Sequence, residues 1–202
     1  MNIFKLFILG DIGFLNNVLR NSVNICKSRM NVNDKIVLLG DNFYYHGVDN
    51  LNDPLWYKYY DIFKEIPKKN VYSILGNHDY HKNISCQINK KYWNTPSFYY
   101  KLNFNNNTDL FLIDTVPLLT NHASITNNII ENAHNRKLEN IINEQINWLI
   151  NELEKSKNKR KIVFGHYPII TNGFYYNRMK PLYNILFPIF KKYNVDAYIS
   201  GH

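Results

Sequence analysis

The sequence has few cysteines, few acidic residues relative to basic ones and no long apolar runs, and each shortage excludes a class of protein. Two cysteines in 202 residues, Cys26 and Cys86, are too few for a disulfide framework and fit a reducing compartment, although one bridge between them stays possible. No apolar stretch approaches the roughly 20 residues that a membrane-spanning helix needs, so we expect no membrane span. Disorder is excluded as well, because 45% of the residues are hydrophobic and only 20% are charged.

The chain carries an excess of positive charge, with 24 Lys and Arg against 16 Asp and Glu and a net charge of +8. Such a charge suits an anionic substrate, but it is also common in nucleic-acid-binding proteins. The basic residues form no stripe, so we interpret them as lysines spread over solvated surfaces. We therefore expect no nucleic-acid partner.

The N-terminus offers no room for a secretory signal. Its apolar segment, Ile3–Leu9, is short, lacks a small-residue cleavage site and runs directly into Gly10-Asp11. The expected location is the cytoplasm by default.

Short apolar runs alternate with helical patterns along the chain. Runs that are β-branched or aromatic and bounded by Gly, Asn or Asp predict strands at Lys5–Leu9, Lys35–Leu39, Val71–Leu75, Ser97–Leu102, Leu110–Ile113, Lys161–Phe164 and Ala197–Ser200. Helices are predicted at Asn16–Ser28, Pro54–Lys64, Leu138–Lys155 and Pro181–Lys192. The apolar stripe of the third helix consists of Ile142, Ile146, Leu149 and Leu153. This alternation predicts one layered α/β domain over residues 1–202, and Pro117–Arg136, which has no clear period, is predicted to be a long loop or lid.

Five of the eight glycines share one arrangement, in which an apolar run ends, Gly follows and a residue able to bind metal comes next. The pairs are Gly10-Asp11, Gly40-Asp41, Gly76-Asn77, Gly165-His166 and Gly201-His202. A single Gly-Asp pair is an ordinary turn signal. In open α/β sheets, however, ligands bind beyond the carboxyl ends of the strands, where residues from several strands meet. The repeated arrangement therefore predicts a metal site with oxygen and imidazole ligands.

This ligand set contains two carboxylates, one amide oxygen, imidazoles and no thiolate, which disfavours a structural zinc site. Two metal ions that share a bridging carboxylate would explain why so many ligands converge. In phosphatases and nucleases such ions lie about 3.5–4 Å apart.

Taken together, the motifs resemble those of the calcineurin-like metallophosphoesterases, and more narrowly those of the purple acid phosphatases, particularly the small animal-type tartrate-resistant acid phosphatases. The motifs are Gly10-Asp11-Ile12-Gly13, Gly40-Asp41-Asn42-Phe43-Tyr44, Gly76-Asn77-His78-Asp79, Gly165-His166-Tyr167-Pro168 and Ser200-Gly201-His202. Similar segments occur at Lys91–Ser97, Ile113–Val116 and Gln145–Leu149. The resemblance covers nearly the whole chain. It implies a four-layer α/β/β/α sandwich of two mixed sheets.

The resemblance also implies a binuclear metal centre. The residues that would bind Fe(III) are Asp11, Asp41 and Tyr44, and a tyrosinate-to-iron transition colours such proteins purple. A divalent ion of iron, zinc or manganese would be bound by the bridging Asp41 with Asn77, His166 and His202.

The implied activity is hydrolysis of phosphate monoesters, in which metal-bound hydroxide attacks phosphorus in line with the leaving group. His78 would bind the phosphate and protonate the leaving oxygen, and Asp79 would orient the ring of His78. The expected substrates are phosphorylated small molecules or phosphoproteins. Two alternatives stay open: a phosphoesterase that acts on diesters or nucleotides, and an inactive scaffold that keeps the fold for protein–protein binding.

The sequence departs from the family pattern in two places. The family motif reads Gly-His-x-His, whereas this chain ends at His202, so we expect a fragment that lacks one Fe(III) ligand and the last strands. Animal-type relatives also carry a further histidine where this chain has Tyr175 and Tyr176. The remaining histidines match no ligand position, and we interpret them as surface or loop residues: His46, His81, His122 and His134.

Overall fold

The structure, a computed structural model, describes residues 3–88, 92–119, 125–172 and 175–202. Lys91 and His122 lie outside these ranges. Within them the strands are β1 (Leu6–Leu9), β2 (Lys35–Leu39), β3 (Val71–Ile74), β4 (Tyr100–Asn105), β5 (Thr108–Leu112), β6 (Arg160–Gly165) and β7 (Ala197–Ser200). The helices are α1 (Asn17–Arg29), α2 (Pro54–Phe63), α3 (Asn127–His134), α4 (Leu138–Lys155) and α5 (Tyr176–Lys192). None of the helices in the described ranges is long and apolar enough to cross a membrane.

The strands form two sheets. In the described residues, the first sheet has the order β1-β2-β3 and is parallel throughout, whereas the second has the order β4-β5-β6-β7 and pairs only β4 with β5 in antiparallel fashion. The expectation of two mixed sheets therefore holds for the second sheet alone. The register pairs Leu39 with Ile74 and Gly165 with Ser200, so the carboxyl ends of neighbouring parallel strands are level.

The packing of apolar side chains gives the order of the layers. The two sheets face each other through Val37, Leu39, Ile74, Leu110, Leu112 and Phe164. Helices α1 and α2 cover the outer face of the first sheet, and their buried residues include Val23, Trp56 and Tyr59. Helices α3, α4 and α5 cover the outer face of the second sheet, with buried residues that include Ile130, Leu149 and Leu186. This arrangement confirms the predicted α/β/β/α sandwich.

Capping residues explain why α1 and α2 begin close to the positions that the sequence predicts. The side chain of Asn16 accepts a hydrogen bond from the backbone N–H of Leu19, and Asp53 does the same for Leu55, with Pro54 at the first helical position. Each cap satisfies an N–H group that has no partner inside its helix.

Two helices differ from the sequence-based expectation. Helix α3 lies inside Pro117–Arg136, which was expected to be a loop or lid; with 8 residues it is too short to show a clear period. Helix α5 begins at Tyr176 instead of Pro181, and both Pro181 and Pro188 lie within it. Because proline is most common in the first turn of a helix, the sequence predicted that α5 starts at Pro181, more than one helical turn after its start in the structure.

The buried face of α4 is also rotated relative to the expected stripe. The fully buried residues are Ile141, Gln145, Leu149 and Leu153, whereas Ile142 and Ile146 are half-buried. Gln145 belongs to this face because its side chain accepts a hydrogen bond from Asp114 N and donates one to Asp114 O, both at 2.8 Å. An apolar pattern cannot detect a buried amide that serves the backbone of another element.

We predict that Gln145→Leu destabilises the protein although it makes the helix more apolar. The leucine leaves the buried N–H and C=O of Asp114 without partners, which costs about 2–4 kcal/mol in the free energy of unfolding. Urea denaturation measures this change. The matched control is Ile146→Leu on the next, half-buried position, which should cost less than about 1.5 kcal/mol. Equal stability of the two variants would contradict the assigned role of Gln145.

Candidate metal centre

Five parallel strands each place one candidate ligand just beyond their carboxyl ends. In strand order β1, β2, β3, β6 and β7, these residues are Asp11, Asp41, Asn77, His166 and His202. Because the ends of paired strands are level, the side chains gather at one edge of both sheets. The sequence prediction that these residues lie together agrees with the geometry.

The ring of His166 has a defined hydrogen-bonding orientation. It is completely buried, and its Nδ1 atom lies 2.8 Å from the carbonyl oxygen of Leu39. Because a carbonyl oxygen only accepts hydrogen bonds, Nδ1 must carry the proton, and in the neutral ring Nε2 is then an acceptor. Nε2 lies 3.1 Å from Asn77 Oδ1 and 3.3 Å from Asp41 Oδ1.

Three acceptor atoms therefore face one another in the interior. Asp41 and Asn77 are 1% and 3% exposed, so solvent cannot separate their oxygens from the imidazole. Asp41 Oδ1 accepts a hydrogen bond from the backbone N–H of His78, but with a neutral His166 ring no proton lies between Nε2 and the two oxygens. Buried acceptors that face one another in this way are destabilising, and a cation between them removes the conflict. Carboxylate, amide and imidazole donors suit iron, manganese or zinc. The residues thus fit the divalent ion that the sequence implied.

His202 extends this group. Ligand atoms of Asp41, His166 and His202 all lie within 4.8 Å of one another. The rings of His202 and His166 are 5.1 Å apart between centroids, and the ring of Tyr175 lies at the same distance from His202 on another side. Tyr175 thus lies beside a candidate ligand, in the sequence region where relatives carry a histidine.

Asp11 and Tyr44 lie together, and Asp11 is joined to His202. The Tyr44 hydroxyl donates a hydrogen bond of 3.1 Å to Asp11 Oδ1, and the backbone N–H of His202 donates one of 2.8 Å to Asp11 Oδ2. Burial, with the nearby carboxylates of Asp41 and Asp11, raises the pKa of Tyr44 above its usual range. The Tyr44 phenol therefore keeps its proton and donates a hydrogen bond to the Asp11 carboxylate.

The backbone at the candidate ligands is strained. Asp11, Asp41 and His202 have φ angles of 54°, 50° and 66°, in the left-handed region that residues with a side chain seldom adopt. Such strain costs of order 1 kcal/mol per residue and is concentrated at functional sites. The left-handed φ angles direct these three side chains toward the centre. The sequence patterns did not predict these angles.

Gly76 is required by the close packing of the centre. A Cβ atom at this position would lie 2.3 Å from both the N and Oδ1 atoms of Asp41 and 2.9 Å from Cε1 of His166. Only a residue without a side chain allows the two ligands to approach each other across the end of β3.

His78 lies next to the centre, and its ring is held by the backbone. Its N–H donates to Asp41 Oδ1 at 3.0 Å, and its Nδ1 atom lies 2.7 Å from the carbonyl oxygen of Tyr45. Its Nε2 atom lies 3.9 Å from Asp41 Oδ2. The ring of Tyr44 contacts it edge to face, at 4.7 Å between centroids.

Asp79 has a different role from the one expected. Its buried carboxylate accepts hydrogen bonds from Gly76 N at 2.9 Å and Asn42 N at 3.0 Å, and Gln87 donates a further one. In the described part of the chain it has no hydrogen bond to His78, so the expectation that it orients that ring is not met. Burial, followed by the charge of Asp41, raises the pKa of Asp79 to about 7. Asp79 joins the loops that follow β2 and β3.

A buried network behind the centre was missed by the sequence analysis. The Tyr80 hydroxyl donates to Asp114 Oδ2 and lies 2.9 Å from His134 Nε2, and Phe98 stacks on His134 at 3.7 Å. Burial raises the pKa of Asp114 to about 7 and lowers that of His134 to about 4. His134, which we interpreted as a surface or loop residue, is half-buried at the end of α3 and joins this network through its ring. The position of Asp114 beyond β5, at the same sheet edge, could have revealed this network.

We predict that Gly76→Ala weakens metal binding by about 10–100-fold, because the added methyl group displaces Asp41 or His166. The metal content of the purified variant, together with its circular dichroism, measures the effect. The matched control is Gly10→Ala, where the nearest atom to the new Cβ is 3.4 Å away and binding should persist. A folded Gly76→Ala variant with normal metal content would refute the proposed packing.

Comparison with known proteins agrees with this geometry. The family described as calcineurin-like phosphoesterase matches residues 4–202. Tartrate-resistant acid phosphatase type 5 of Rattus norvegicus is 34% identical over 84% of this chain and 54% of its own length, and the Homo sapiens protein is 33% identical over the same shares. Purple acid phosphatase 7 of Arabidopsis thaliana is 28% identical over 94% of this chain and 60% of its own length. The chain thus spans about half the length of the curated relatives it matches.

Solved structures show the same fold. One is GAP50, described as the anchor in the inner membrane complex of Plasmodium, with a TM-score of 0.71 and 24% identity over 98% of this chain and 65% of that one. Another is the phosphopantetheinyl hydrolase PptH of Mycobacterium tuberculosis, with a TM-score of 0.55 and 13% identity over 98% and 82% of the two chains. Motifs, layers and converging ligands lead to one conclusion: this chain belongs to the calcineurin-like phosphoesterase family.

Proposed function

We propose that the protein is a metal-dependent hydrolase of phosphate monoesters with a binuclear centre. The observation that carries this proposal is the meeting of Asp41 Oδ1, Asn77 Oδ1 and His166 Nε2, directly beside the ring of His78. The similarity to acid phosphatases from mammals and plants supports it.

The donors divide into two groups that share Asp41. The hard oxygen donors would hold Fe(III) and are Asp11, Asp41 and Tyr44. The mixed donors would hold a divalent ion of iron, zinc or manganese and are Asp41, Asn77, His166 and His202. When bound, such ions neutralise the phosphate oxygens and lower the pKa of a water molecule enough to make it a nucleophile near neutral pH.

His78 has the proton arrangement that a general acid needs. Its Nδ1 atom must keep a proton, because its partner is the carbonyl oxygen of Tyr45 at 2.7 Å. When the ring is doubly protonated, the proton that it can transfer is therefore the one on Nε2, the atom that faces the centre at 3.9 Å from Asp41 Oδ2. From this position the ring donates to the leaving oxygen of the ester while Tyr45 fixes its orientation.

We favour an enzyme over an inactive scaffold that only binds other proteins. Scaffold proteins that derive from enzymes are free to lose ligands, whereas this chain fills each predicted ligand position and keeps strained φ angles at Asp11 and Asp41. A preference for diesters is the other alternative, and a direct comparison of kcat/KM on mono- and diesters separates it from monoester hydrolysis.

We predict that His78→Gln lowers kcat for an alkyl phosphate by about 10²–10⁴-fold. The loss should be much smaller for p-nitrophenyl phosphate, because its leaving group departs without a proton. Steady-state kinetics on both esters, with metal content measured in parallel, give the comparison. An equal loss on both esters would show that His78 acts in binding or folding instead.

We also predict that the iron-loaded protein absorbs visible light through a tyrosinate-to-iron transition. Tyr44→Phe should abolish this absorption, since it removes the oxygen beside Asp11 and Asp41. The control is Tyr45→Phe, which changes the exposed neighbouring ring and should leave the spectrum intact. If Tyr44→Phe keeps the visible band, the assignment of Tyr44 as an iron ligand is wrong.

A further inference from the structure

Three imidazole rings form a row that leads away from the metal centre. His78 is the first, next to Asp41; the ring of His81 follows at 5.8 Å between centroids, and that of His46 lies 5.4 Å beyond. We call these residues, His78, His81 and His46, the imidazole row. His78 has a part in the proposed reaction, whereas neither His81 nor His46 matches a ligand or catalytic motif.

The backbone builds this row by a close approach. His46 belongs to the loop after β2, and His81 ends the short 3-10 helix His78–His81. Gly47 joins the two, because a Cβ on it would lie only 2.8 Å from the carbonyl oxygen of Asp79, and its φ of 73° suits glycine. The loop and the helix therefore touch, and their histidines lie side by side.

The polar atoms of the outer two rings are available to a ligand. Among the described residues, His81 and His46 have ring contacts but no hydrogen bond to a protein group. His46 is exposed and His81 is half-buried. Each neutral imidazole has one N–H to donate, and each protonated ring has two.

The exposed carboxylate of Asp49 is already paired. The ammonium group of Lys82, the residue after His81, binds it at 2.7 Å and compensates its charge. Burial, followed by the charges of His78 and His46, lowers the pKa of His81. A neutral His81 ring still has one N–H that can donate to an anion.

We propose that His81 and His46 form a second anion subsite, which selects phosphate esters whose alcohol part carries another anionic group, such as a second phosphate. This inference rests on the proposed function, because it places the scissile phosphate at the metal centre and His78. The leaving alcohol then extends along the imidazole row, and its second anion accepts hydrogen bonds from the two outer rings.

The test compares propane-1,3-diol bisphosphate with propane-1,3-diol monophosphate, which have the same leaving oxygen. The measured quantity is the ratio of kcat/KM for the bisphosphate to that for the monophosphate. We expect this ratio to fall about tenfold in the double variant His46→Leu/His81→Leu, since leucine has no hydrogen-bond donor for the second anion. The control is the double variant Asp49→Asn/Lys82→Gln, which removes both partners of the ion pair next to His81 and should leave the ratio unchanged.

A second measurement does not depend on turnover. Calorimetry should show propane-1,3-diylbisphosphonate binding to the metal-loaded protein more tightly than propylphosphonate does, and the His46→Leu/His81→Leu double variant should lose that difference. An unchanged ratio and an unchanged difference in the double variant would overturn the subsite. If neither ester is hydrolysed, the proposed function fails, and the calorimetry alone then decides whether the two histidines bind an anion.

Discussion

The buried Nε2 atom of His166 imposes the constraint from which the rest of the site follows. Leu39 fixes the proton on the other ring nitrogen, and the atoms that face Nε2 are oxygens of Asp41 and Asn77. A buried polar group without a compensating partner costs about 1–3 kcal/mol, a sizeable share of the roughly 5–15 kcal/mol that stabilises a domain. A cation at this point therefore contributes to the stability of the fold as well as to its chemistry.

The neighbouring structure holds this arrangement from behind. Asp79 binds the backbone of Asn42, which follows the candidate ligand Asp41, and of Gly76, which precedes the candidate ligand Asn77. On the second sheet, Asp114 is held by Gln145 of α4 and by Tyr80. These carboxylates are buried and contact backbone and side chains instead of substrate. They link the layers of the sandwich to the edge where the strands end, so the stability of the helices and the geometry of the centre are coupled.

The sequence predicted the features that depend on local pattern. Strands, most helix starts and the five Gly-ligand pairs follow from periodicity, capping and turn residues, each of which is visible over a few positions. The features it missed depend on contacts between distant residues. The contacts of His134 involve Tyr80 and Phe98, and the rotated face of α4 involves the backbone of Asp114. The left-handed φ angles of Asp11 and Asp41 are likewise not visible in any local pattern of residue types.

Crystals of the protein soaked in manganese or iron provide the most direct test of the central claim, because anomalous diffraction locates these ions without reference to activity. The account predicts a strong anomalous peak in contact with Asp41 Oδ1, Asn77 Oδ1 and His166 Nε2, and its loss in an Asp41→Asn variant that still folds. An empty site at saturating metal, with those three atoms in direct contact, would contradict it.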